Sequence, residues 1–172
     1  MLIPFTGFGI DHIARGRLEL VEERLTDALA AREDLLLVDV VLEGLADLAS
    51  LAIGDHVVRR RELLAAIGGD RGGPRGTRAK RVATTRQRLQ ASVGPYEVLG
   101  RLHAPPDASV ADRLLDAGPL VPLTDATIAY VIGGILEVRD APVIYVNRDL
   151  SSWSRPEPVT NPFARLAPRP LR

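Results

Sequence analysis

The sequence predicts an α+β protein of two related small modules. Each is a mainly antiparallel sheet or partly open barrel with one short helix, and the two pack as a pseudo-dimer. Three observations lead there. Residues 119–153 hold short β-branched and aromatic runs separated by turn signals every 8–10 residues, the spacing of an antiparallel meander. A faint echo of that stretch lies about half a chain earlier, in 34–65. A Gly- and Arg-rich segment separates the two regions.

The echo is a series of matches whose offset drifts slowly. Gly16-Arg17-Leu18 matches Gly100-Arg101-Leu102, 84 residues on, and Asp27 and Leu29 match Asp112 and Leu114 at 85. Asp39 matches Asp125 at 86, and Leu63 matches Leu150 at 87. Single-residue insertions in loops account for the drift. The expected organisation is an N-terminal module over 1–68, a basic flexible linker over 69–92, a C-terminal module over 93–154 and a Pro-rich tail over 155–172.

In chain order, Gly7–Leu20 reads as the opening strand region. Glu22–Glu33 reads as an amphipathic helix with Leu25, Ala28 and Leu29 on one stripe, and Asp34–Leu42 as a buried strand. Leu45–Ile53 has helical spacing of Leu and Ala, but the repeat assigns it to strand. Arg59–Ile67 is equally divided, with a helix allowed. Gly68–Gly76 carries five Gly and one Pro in nine residues and reads as linker, continued by Thr77–Gln90. In the second half Val93–His103 is a strand ended by Pro105-Pro106, and Ser109 caps a short helix over Val110–Ala117. Ala126–Val131 and Ile135–Val138 flank Gly133-Gly134, a pair suited to a tight hairpin. Arg139-Asp140-Ala141-Pro142 reads as a second turn before Val143–Val146, and Leu150–Trp153 as a last edge strand. Five of the thirteen Pro lie in Ser154–Arg172, a tail onto which Phe163 or Leu166 is placed to dock back.

Composition narrows the classes of chemistry. Apolar residues at 46% and charged residues at 26% point to a globular rather than a disordered chain. The absence of Cys removes disulfides, thiolate metal sites and a cysteine nucleophile. Met1–Ile10 lacks the basic start and apolar core of a secretory signal, so a cytoplasmic location with no membrane association is expected. His12, His56 and His103 fall in no metal-ligand spacing, His56 reading as a turn residue and His103 as a strand-edge residue. No nucleophile elbow or phosphate loop is present; the run from Gly68 to Gly76 lacks the G-K-[ST] ending. Asp39 and Asp125, at equivalent repeat positions, face each other across a pseudo-twofold in one reading and close local turns in the other. No catalytic, cofactor-binding or metal-binding residue is therefore assigned, and no cofactor.

Charge is zero overall but uneven: net −5 over 1–68, +6 over 69–92 and −1 over 93–172. Arg71, Arg75, Arg78, Lys80, Arg81, Arg86 and Arg88 make the central segment the one electrostatic feature suited to phosphates. No aromatic residue is interleaved for base stacking.

Gly100-Arg101-Leu102, Ser109–Asp112, Leu123-Thr124-Asp125-Ala126, Val146-Asn147-Arg148 and Trp153 together resemble a small bacterial domain family of unknown function. Its members have an L-T-D-A strand start and a V-N-R/K-x-x-I-x-W ending. The resemblance covers roughly residues 86–155 and implies a compact domain without catalytic residues to transfer. The chain also resembles, more loosely, the Sm-like small barrels, through an L-x-D-A strand and a final apolar strand after a turn. It departs from that pattern in the 105–118 segment and in lacking the usual Asp…Asn loop, so the likeness does not imply RNA binding in that fashion.

The function expected from these readings is a non-catalytic protein-interaction or assembly module, with Tyr130, Tyr145 and Trp153 as contact candidates and self-association or a protein partner. The alternative is a nucleic-acid-binding protein that uses 71–88 and a small barrel.

Overall fold

A computed structural model describes residues 1–21, 23–69, 84–156 and 161–166. They form one antiparallel sheet of ten strands with two short helices. The first half contributes β1 (Leu2–Phe8), β2 (His12–Glu19), α1 (Leu25–Ala31), β3 (Asp34–Gly44), β4 (Ser50–Arg59) and β5 (Ala65–Gly68). The second contributes β6 (Thr85–Val93), β7 (Tyr96–Ala104), α2 (Val110–Asp116), β8 (Leu120–Ile132), β9 (Ile135–Asn147) and β10 (Ser151–Ser154). The strand order is β10-β6-β7-β8-β9-β5-β1-β2-β3-β4. Fifth, first, second, third and fourth strand thus follow one another twice.

Register repeats as well as order. Phe5 faces Gly16 across β1 and β2, and Leu89 faces Gly100 across β6 and β7. Between β2 and β3 the ladder slips from Arg15–Val41 to Arg17–Val38, and between β7 and β8 from Leu99–Thr127 to Arg101–Thr124. Each slip is a bulge, an extra residue that bends the strand. Asp39 and Asp125 occupy these bulges with φ of 54° and 46°, a backbone region that Asp tolerates better than most residues. Each carboxylate pairs with the Arg that follows the facing glycine, Arg17 with Asp39 and Arg101 with Asp125. The helix ends match too. Arg60 donates to the carbonyls of Leu29 and Ala30 at the end of α1, and Arg148 to those of Leu114 and Leu115 at the end of α2.

Local chemistry explains where elements begin and stop. Ser109 accepts from the Asp112 amide at 3.0 Å and caps α2, as its position implies. No side chain caps α1, which is shorter than the amphipathic pattern. Gly133 and Gly134 have φ of 54° and 80° and close the β8–β9 hairpin with the twist that strands prefer.

Several expectations give way. Arg139-Asp140-Ala141-Pro142 is not a turn: β9 runs through it. Pro142 sits where the β8–β9 ladder skips from Thr124–Val143 to Ala126–Ala141, opposite the Asp125 bulge, where no ladder donor is required. Residues 85–92 are not linker but strand β6, with Leu89, Ala91 and Val93 buried; its exposed Arg residues mask the period-two pattern. His56 lies within β4 rather than in a turn, and 45–49 is the turn instead of the start of a strand. The allowed helix over 59–67 shrinks to one 3-10 turn, Arg60–Glu62, before β5. Residues 70–83, the heart of the expected linker, lie outside the described residues. Of the tail, 161–166 docks: Gln90 donates to the Pro162 carbonyl at 2.6 Å, and Arg165 pairs with buried Glu97.

Buried residues gather in two clusters, and both draw on both halves. Phe8, Ile13, Leu64, Ala65 and Ile67 of the first half join the core of the second. Leu120 and Tyr145 of the second join the core of the first. The rings of Phe8, Tyr96 and Tyr130 meet edge-on at 5.3–5.8 Å, each such pair adding about 0.5–1.5 kcal/mol beyond burial.

Two outcomes test this arrangement. A Cβ at Gly100 would stand 2.7 Å from the Cβ of Leu123 and 2.9 Å from that of Ala126. Gly100→Ala is therefore expected to destabilise by ~1–3 kcal/mol in urea unfolding, through overpacking at the bulge. The Tyr96 hydroxyl donates to the Gly9 carbonyl at 2.6 Å. Burial first, then the charges of Tyr130 and Asp11, push its pKa above the ordinary phenol value. The raised pKa stabilises the fold fully below the unfolded phenol's value of about 10, and this contribution is lost as pH rises beyond that. Tyr96→Phe is expected to lower stability by ~1–2 kcal/mol at neutral pH and to flatten the alkaline decline in thermal unfolding.

Candidate interaction edges

Antiparallel pairing uses both edges of an interior strand and leaves one edge of a terminal strand open. Among the described residues the terminal strands of this sheet are β4 and β10. They are unlike: a fourth strand of ten residues and a fifth strand of four. Inside the chain their counterparts are joined. β5 and β9 pair with Ala65 opposite Val146 and Ala66 opposite Tyr145. The Asn147 amide donates to the Leu64 carbonyl at 2.9 Å, and the Asn147 side chain donates to the Leu63 carbonyl at 2.9 Å.

Comparing the two fourth strands shows what that pairing does. Tyr145 lies next to Ile144 and Val146, and all three are buried. By register the matching residues of β4 are His56, Val57 and Val58, since Leu37 faces His56 as Leu123 faces Ile144. Val57 is 50% exposed where Tyr145 is 6% exposed. Beside it, Leu36 of β3 pairs with Val57 and is 51% exposed. A recess of about 320 Å³ lies at the end of β4, lined by Glu33, Asp34, Arg59, Arg60 and Arg61. Arg59 matches Asn147, so the recess occupies the position at which Leu63 and Leu64 dock in the other half.

The fifth strands differ in the same sense. Leu63 is 2% exposed and its match, Leu150, is 51% exposed. Serines 151, 152 and 154 stand where β5 has Leu64, Ala65 and Ile67, and half-buried Trp153 stands where it has Ala66. On the same half, α2 leaves Leu115 74% exposed.

The residues singled out from the sequence divide among these places. Tyr130 and Tyr145 are buried at the internal junction, Tyr145 with its hydroxyl 2.9 Å from Thr26 Oγ1 of α1. They bind the two halves together and do not offer a surface to an outside partner. Trp153 lies on the open strand β10, its indole donating to the Arg148 carbonyl at 3.3 Å. Arg86 and Arg88 are exposed on β6, Arg88 across from Arg101. Arg71, Arg75, Arg78, Lys80 and Arg81 lie outside the described residues. Asp39 and Asp125 do not face each other: four strands separate β3 from β8, and each carboxylate has its own Arg. Among the described residues no three His, Asp or Glu side chains group as a metal site, and no helix is long and apolar enough to cross a membrane. His103 contacts Thr124 at 2.7 Å and His12 contacts Asp11 at 2.6 Å.

Sequence reasoning missed Leu36, Val57, Leu115 and Leu150. The signal was present in the repeat: apolar positions that match buried ones but end a module. Comparison with protein-family models, with curated proteins and with solved structures returns no match.

Asn147 is the polar anchor of the junction, buried and also accepting from the amides of Asp149 and Leu150. Asn147→Ala is expected to cost about 2–3 kcal/mol, because the Leu63 carbonyl and two amides lose their partner. Chemical denaturation compared with the wild type reads it.

Proposed function

We propose that this protein is a non-catalytic assembly module. Its chain is a tandem of two copies of one β-β-α-β-β-β unit, packed side by side as a pseudo-dimer, and it works through the strand edges left open at the two ends. The halves of this pseudo-dimer meet head to tail, a fourth strand against a fifth, rather than about a twofold.

One observation carries the reading: the exposed end of β4, His56–Val58, whose counterpart on β9, Ile144–Val146, is buried against β5 and α1. A strand end with Val57 50% exposed beside Leu36 51% exposed is the kind of surface that natural sheets cover, twist or charge when it has no partner. Strand addition to such an edge gains main-chain hydrogen bonds along its length, with side-chain pockets setting selectivity. The recess at Glu33, Asp34 and Arg59–Arg61, with both signs of charge, suits a strand end with polar groups.

The test uses the full chain, tagged and held in lysate under native conditions. It is expected to elute in an assembly larger than a single chain, and Val57→Lys is expected to shift it to single-chain size with unchanged thermal unfolding. Elution of the wild type at single-chain size, or an assembly indifferent to Val57→Lys, overturns the proposal.

A further inference from the structure

We infer that the occupant of the β4 edge is a second copy of this chain. The open edge of β10 in one copy pairs antiparallel with the open edge of β4 in the next, in the register that joins β5 to β9 within the chain. The inference rests on the assembly reading above and names its partner.

The internal junction supplies the geometry. Ala65 faces Val146 and Ala66 faces Tyr145. Along β1 and β6, Gly7 faces Ala66 as Ala91 faces Trp153. Carried across, Ser152 of one copy stands opposite Val58 of the next, and Trp153 opposite Val57. Around that pairing the helices repeat as well. At the internal junction α1 brings Thr26 to the Tyr145 hydroxyl, and a Cβ at Gly118 would stand 3.9 Å from that of Ala30. In the contact between copies α2 takes the place of α1: Ala111, the counterpart of Thr26, stands over Val57, and Leu115, the counterpart of Ala30, lies beside Arg32. The backbone of Leu150, the counterpart of Leu63, comes to the recess beside Arg59, as the Leu63 carbonyl comes to Asn147. Half-buried Trp153 on one end thus meets exposed Val57 on the other.

Among the described residues β4 and β10 terminate opposite sides of the sheet and do not pair with each other. The chain contains one edge of each kind, and each fits the other kind rather than itself. Such a heterologous contact repeats from copy to copy and ends in a ring or a filament. The three serines of β10, in place of Leu64, Ala65 and Ile67, bury less apolar surface than β5 does. The contact between copies is accordingly weaker than the one within the chain, and it responds to dilution.

The experiment uses purified full-length protein and reads mass by sedimentation across a dilution series. Wild type is expected to run as multiples of the 18.6 kDa chain and to approach the single chain on dilution. Val57→Lys, with one damaged end, and Ser152→Lys, with the other, are each expected to remain single chains at every concentration. Mixed in equal amounts they are expected to form one-to-one pairs and nothing larger, since each supplies the end the other lacks. That recovery also shows both variants to be folded. Association of Ser152→Lys alone as strong as wild type would mean that β4 pairs with β4, and it overturns the inference. So does a mixture that stays at single-chain mass, or a wild type that is a single chain throughout. If the purified wild type is a single chain while the lysate assembly still depends on Val57, self-association falls and the assembly reading stands with a different protein as partner.

Discussion

The pairing of β5 with the end of β9 is the contact on which the arrangement of the whole sheet depends. It is short, yet it converts two five-stranded units into one ten-stranded sheet. Its hydrogen bonds are reinforced by Asn147, a buried side chain that serves the Leu63 carbonyl on one side and the amides of Asp149 and Leu150 on the other. Leaving the buried Leu63 carbonyl unpaired costs more than forming its bond gains, so the asparagine both fixes register and holds the joint. The aromatic cluster of Phe8, Tyr96 and Tyr130 seals the joint from one side, and Tyr145 with Thr26 seals it from the other. Because the joint matches a fourth strand with a fifth, it leaves two unlike edges at the ends, and unlike edges are complementary.

Within each unit a second constraint recurs. A glycine on the second strand lets the third strand approach closely: Gly16 has only 3.0 Å to the Val38 carbonyl oxygen for a Cβ, and Gly100 has 2.7 Å to Leu123. The third strand answers with a bulge whose Asp takes a left-handed conformation and pairs with the Arg following the glycine. These ion pairs are half exposed and add little energy by themselves. Their value is positional: the bulge bends the strand at the same point in both units, and Pro142 is accommodated because the ladder is already interrupted there.

The glycine and the aspartate were the most legible part of the sequence, because they are spaced by geometry and not by burial. The Gly133-Gly134 turn and the Ser109 cap are set by local backbone chemistry and lie where the residues place them, whereas Asp39 and Asp125, read as turn residues, sit at bulges inside β3 and β8. Long strands were harder to see. β9 contains a Pro and an Arg-Asp pair that look like a turn when read alone, and only the bulge opposite makes them compatible with a strand. β6 alternates correctly, but its Arg residues lie on the open face and resemble linker. β4 begins in a Leu- and Ala-rich stretch that also suits a helix, since an exposed edge strand lacks the alternating burial that marks an interior one. Tyr130 and Tyr145 looked like contact residues and are contact residues, but for the neighbouring half of the same chain.

The two ends of the sheet differ in composition from its middle joint, where β5 meets the end of β9. The sequence places Leu64, Ala65 and Ile67 at the internal joint and serines 151, 152 and 154 at the terminal one. It likewise places Tyr145 at the internal joint and Val57 at the terminal one. At ~25 cal/mol per Å² of apolar surface, exchanging three aliphatic side chains for serine separates the two joints by several kcal/mol in the same direction. Short, serine-rich edges are also among the devices by which sheets avoid indiscriminate pairing. The inner joint is thus the more apolar of the two places, while Leu36, Val57, Leu115 and Leu150 stay exposed at the ends.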